Sequence, residues 1–128
     1  MFTVFASQEE RCSACGSDCF ELQFCKMPRA TALGALVHWE NITHWQSDSL
    51  YVLDEERFIA EYGKFFAGGV YANLQTGPVD GCGINYYSPE KREAMLERLR
   101  AEEPEDSACL IDWLERAAAY NGFYLLGV

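Results

Sequence analysis

Positive charge is what this chain has least of: ten Lys and Arg stand against twenty Asp and Glu, for a net charge of -10. So acidic a chain repels phosphate backbones and anionic lipid surfaces, so neither nucleic acid nor a membrane is an expected partner. Long apolar runs are missing too. Ala35 to Val37 and Phe123 to Leu126 are far too short to span a bilayer. The first ten residues carry no basic side chain and include Gln8, Glu9 and Glu10, which is no secretory signal, so the expected location is the cytoplasm. There is no internal repeat, low-complexity tract or Gly/Ser linker. There is also no Gly-rich phosphate loop, no Gly-x-Ser-x-Gly elbow and no His-Glu-x-x-His. These absences weigh against the familiar phosphate-binding, hydrolase and metalloprotease chemistries.

What is present fits one domain. The chain has 128 residues, 49% apolar and 23% charged, which is ordinary globular usage and enough to bury a core without staples. A cysteine-rich front, residues 1–47, precedes a more regular remainder, residues 48–128.

Residues 2–6 and Glu21 to Met27 have strand composition, although only one face of the second is consistently apolar. Thr31 to Trp39 is open between a strand and a short buried helix. Leu50 to Leu53 predicts a strand running into Asp54, an N-cap. Phe58, Ile59, Tyr62, Phe65 and Phe66 then form one helical stripe that Gly68-Gly69 ends. Val70 to Leu74 and Cys82 to Tyr87 predict a hairpin with a seven-residue tip, Gln75 to Gly81. Ser88-Pro89-Glu90 opens a helix that runs to about Glu102, before Pro104. Asp106 caps a last helix with an inward stripe of Leu110, Trp113, Leu114, Ala117 and Ala118. Asn121-Gly122 ends it, and Phe123 to Leu126 closes as a buried strand, either central in the sheet or paired with another chain. The expected fold is α+β: a small, mostly antiparallel sheet with about three helices packed mainly on one face.

Six cysteines ask for an explanation. Four lie in front as Cys12-x2-Cys15-x3-Cys19-x5-Cys25, and Cys12 to Ser17 resembles the knuckle of a zinc ribbon. A ribbon needs a second C-x-x-C, which the chain lacks, so a zinc site would have to use Cys12, Cys15, Cys19 and Cys25, with His38 or His44 as further ligands. Against zinc stand a disulfide or redox role, and free thiols with Cys82 and Cys109 buried as small hydrophobes.

Two functional classes follow. Acidic groups beside aromatics suit capture of a basic protein, as in small inhibitors and immunity-type proteins. The candidate contacts are Trp39, Trp45, Tyr51, Glu102, Glu103 and Glu105. The alternative is a thiol-dependent enzyme or redox or metal sensor using Cys82, or Cys12 and Cys15, with His38 or His44 as the base. The absence of Arg and Lys around Cys82 argues against a lowered thiol pKa there.

Overall fold

The computed structural model describes residues 1–15 and 19–127. Its elements in chain order are β1 (Phe2–Thr3), α1 (Gln8–Cys15), β2 (Phe20–Phe24), α2 (Leu33–Leu36), a 3-10 turn (Trp39–Asn41), β3 (Leu50–Val52) and α3 (Glu55–Tyr62). There follow β4 (Gly69–Val70), β5 (Thr76–Gly77), β6 (Ile84–Tyr87), α4 (Pro89–Glu102), α5 (Ser107–Arg116), a second 3-10 turn (Ala117–Ala119) and β7 (Phe123–Leu126). The strands form one antiparallel sheet in the order β1-β3-β2-β7-β6-β4-β5. The α+β class is as expected. The described residues nonetheless hold five α-helices rather than about three, and seven strands rather than a small sheet.

The most apolar run becomes the middle of the sheet. β7 pairs with β2 (Leu22 opposite Leu125) and with β6 (Tyr86 opposite Tyr124). A strand covered on both faces favours such continuous apolarity. Only glycine fits before it: Gly122 has φ +75°, and a Cβ there would lie 2.0 Å from the Tyr87 carbonyl oxygen.

One face carries the main core. Phe20, Leu22, Phe24, Leu50, Val52, Tyr87, Phe123 and Leu125 pack with Phe58, Tyr62 and Phe66, with Met95, Leu96 and Leu99 of α4, and with Leu110, Trp113 and Leu114 of α5. Trp113 stacks on Phe24 with ring centroids 4.2 Å apart. Two predicted caps form: Asp54 accepts from Arg57 N, and Ser88 accepts from Lys91 N with Pro89 in the first turn. Asp106 does not cap α5. It sits at φ +62° and its carboxylate lies 3.1 Å from Arg57 Nη1 instead. Three further expectations are corrected. α3 stops at Tyr62, so Phe65 and Phe66 reach the core from the following turn. Ile59 is exposed, and so is Ala118, which falls just after Ala117 has completed the inward stripe. The expected hairpin tip contains a strand of its own: Tyr71 N donates to Gln75 O, Leu74 takes φ +71°, and the chain folds back as β5.

The other face is also covered. Cys25, Tyr86, Tyr124 and Leu126 pack against Leu36 and Val37, with Met27, Ile42, Val70 and Ile84 around them. The Tyr124 hydroxyl donates to Leu36 O at 2.6 Å and the Tyr86 hydroxyl to Asn121 O at 2.8 Å. Helices α3, α4 and α5 therefore share one face, and the segment 33–45 crosses the other. Among the described residues, no helix is long and apolar enough to cross a membrane.

Burial of its tyrosines makes the fold sensitive to alkali. Burial pushes Tyr62 and Tyr86 each up to about 12 from an ordinary 10. Above pH 10 the unfolded chain ionises these groups while the folded chain does not. Their contribution is thus complete below pH 10 and is lost as pH rises towards 12. Urea midpoints should fall across that window, and Tyr62→Phe or Tyr86→Phe should each flatten the fall. A fall that both substitutions leave unchanged would contradict this.

Candidate functional site

Glu21 and Gln23 point to the second face of β2 and are each 3% exposed. Buried polar groups of this kind require partners, and here they are found in the crossing segment. Glu21 Oε1 accepts from Trp45 N at 2.9 Å, and Oε2 accepts from Ser49 Oγ at 2.7 Å and from Gln23 Nε2 at 3.0 Å. Gln23 Nε2 also donates to Thr43 O at 2.5 Å. Trp45 takes φ +63°, an uncommon conformation for a bulky residue, and its amide is held by Glu21. Upstream, Asn41 Nδ2 donates to Ala35 O at 2.9 Å, which ties the first 3-10 turn to α2.

This anchored segment forms one wall of a cavity of about 500 Å³. Ile84 and Leu126, paired across β6 and β7, provide its floor. Trp39, Ile42 and His44 come from the crossing segment, Ala72 from the β4–β5 turn, Cys82, Gly83 and Gly127 from the strand ends, and Arg11 from α1. The Cys82 loop is held from beneath. Asn85 is fully buried, accepts from Asp80 N at 2.8 Å and donates to Asp80 O and Leu125 O, each at 2.9 Å. Cys82 N donates to Asp80 Oδ1 at 3.0 Å, and Gly127 N to Gly83 O at 2.8 Å. Arg11 Nη1 lies 3.8 Å from Cys12 Sγ, and its guanidinium lies 5.8 Å from the centre of the Tyr51 ring.

Several predicted site residues meet here. Cys82 and His44 line the same cavity, and Trp39, 70% exposed, stands beside them. His38 is outside the cavity lining: its Nδ1 accepts from Glu40 N at 3.2 Å, capping the 3-10 turn, and its ring stacks on Trp39. Trp45 is half-buried. Tyr51 is a core residue, 1% exposed, and burial, with the Glu21 carboxylate adding to it, holds its hydroxyl protonated far above the usual range. It offers a partner no surface. Glu102, Glu103 and Glu105 sit at the α4–α5 junction, on the sheet's helical side. Glu102 pairs with Lys64 at 2.7 Å, which lowers its pKa first by that hydrogen bond, and Glu105 lies 3.5 Å from Arg57. The acidic run and the exposed tryptophan are thus on different layers.

The front cysteines are dispersed. Cys15 and Cys19 form a disulfide, Cys12 is exposed on α1, and Cys25 is fully buried with its thiol donating to the Tyr124 hydroxyl at 3.4 Å. The turn at Gly16 and Ser17, part of the zinc-knuckle expectation, lies outside the described residues. Among the described residues no three His, Cys, Asp or Glu side chains are grouped to hold a metal ion. Cys82 and Cys109 are exposed rather than buried. One lies in a loop, and the other lies on α5 beside its inward stripe.

Sequence reasoning missed Arg11 and the Ile84–Leu126 floor. Nothing local to α1 links it to β6. Glu21 and Gln23 did leave a signal, as two polar residues inside an otherwise apolar strand. Compared with protein-family models, curated proteins and solved structures, the chain finds no match.

Glu21→Ala leaves the Trp45 amide and the Ser49 hydroxyl without their acceptor. It should destabilise the fold by about 3 kcal/mol in urea titrations, whereas the exposed Glu56→Ala should change stability by less than about 0.5 kcal/mol. Equal effects would show that the buried network holds nothing in place.

Proposed function

We propose that the chain is a non-catalytic binding module that masks a basic partner protein, with Trp39 as an anchor. The observation that carries this reading is the fate of its ten cations. Lys26, Arg57, Lys64, Arg98, Arg100 and Arg116 are in ion pairs with the chain's own carboxylates. Arg29, Lys91 and Arg92 donate to backbone carbonyls, and Arg11 lies against Cys12 and Tyr51. Meanwhile Glu9, Glu10, Glu40, Glu56, Glu90, Glu93, Glu97 and Glu103 are exposed. The outward field is negative, which steers a basic protein to the surface, and a tryptophan 70% exposed is the kind of side chain that carries binding energy once it arrives.

A photo-crosslinking residue at position 39, in the cell the chain comes from, should trap a basic protein. The complex should re-form from the two purified proteins, and should weaken about tenfold or more with Trp39→Ala and again as salt rises. A purified complex indifferent to both, or an acidic partner, would refute the reading.

A second reading has one specific observation in its favour: Cys82, His44 and Arg11 line one cavity, which supplies the cation that the sequence near Cys82 lacks. Cys109, exposed on α5, is an internal standard. A working nucleophile at Cys82 should be alkylated by iodoacetamide at neutral pH about tenfold faster than Cys109. Equal rates would end that reading.

A further inference from the structure

We infer that the Arg11–His44–Cys82 cavity is a binding site for a small organic anion with an apolar body, of the aryl- or alkyl-carboxylate class. Its size suits one such molecule, at about 500 Å³. Its charge is the exception in this protein. The ionisable side chains lining it are Arg11, His44 and Cys82, with no carboxylate among the described residues, in a chain of net charge -10. The other large concavity, about 600 Å³ between α4 and α5, is lined by Glu93, Glu97 and Glu115 beside its arginines. Arg11 also has donor capacity left over. Its guanidinium lines the cavity and makes no ion pair with a described residue. Glu21 favours the charged guanidinium from nearby without an ion-pair contact, and its carboxylate is engaged by Trp45, Ser49 and Gln23. A carboxylate entering the cavity supplies an anionic partner, in the planar geometry a guanidinium binds best. Its apolar body then lies over Ile84 and Leu126 with Ile42 at its side, and Trp39 stands at the mouth. This site uses no covalent step at Cys82 and requires no protein partner.

The test is a 1H–15N titration of the intact chain with 4-phenylbutyrate and, separately, with its uncharged analogue 4-phenylbutyramide. The acid should shift the amides of residues 39–44, 82–84 and 126–127, and the amide should bind about tenfold more weakly or worse, the loss expected when a charged hydrogen-bonding group is removed. Arg11→Met should bring the acid down to the level of the amide while leaving the amide unchanged, and Ile84→Trp should block both by filling the floor. Should Arg11→Met disturb α1, the comparison of acid with amide in the unaltered chain still decides. Equal binding of the two compounds, shifts that map elsewhere, or no binding of the acid would each overturn the inference.

Discussion

A carboxyl group in the middle of a sheet covered on both faces has to be met by donors, and in this fold those donors come from a segment with almost no regular structure of its own. Residues 33–49 close the second face with one short helix and a 3-10 turn. A covering layer of that kind cannot satisfy its own backbone in the way a long helix does. Glu21 and Gln23 do it instead, by accepting from the Trp45 amide and donating to the Thr43 carbonyl. The strained backbone of Trp45, the position of His44 and the open wall of the cavity all follow from where those two side chains hold the segment. On the opposite side the Trp113 indole donates to Asp48 O at 2.9 Å, so the end of the crossing segment is fastened to the helical layer as well.

Where local chemistry decided the structure, the sequence was readable. Ser88-Pro89 begins a helix in a way that hardly depends on the rest of the chain, and α4 starts there. Phe123 to Leu126 is apolar at every position, which fits a central strand, and only the pairing partners were open. Where tertiary contact decided, it was not readable. α1 buries none of its residues and has no apolar periodicity to reveal it. Asp106 has the composition of a cap, but Arg57, far away in sequence, holds its carboxylate elsewhere. The β4–β5 turn depends on Leu74 accepting a left-handed backbone that leucine does not advertise.

The candidate site divides in the same way. Cys82, His44 and Trp39 could be singled out as residue types with chemistry to offer, and the fold brings them to one cavity. Arg11 could not be singled out, because it reaches them from α1, distant in sequence from all three. Tyr51, grouped with the tryptophans by proximity in sequence, points inward from the middle of β3, where alternation places it beneath the crossing segment and Arg11 covers its ring. Neighbours in sequence are poor guides to a shared surface when a strand separates them.

Both the exposed Trp39 and the cavity depend on the crossing segment being fixed to β2 by the buried network. Native-state amide hydrogen exchange at Trp45 tests this most directly, because that amide belongs to no helix or strand and, among the described residues, its hydrogen bond is to Glu21. That amide should exchange on the timescale of the β7 amides, such as Leu125. Free exchange at Trp45, while β2 and β7 remain protected, would mean that the second layer is not held as described and that the cavity has no fixed wall.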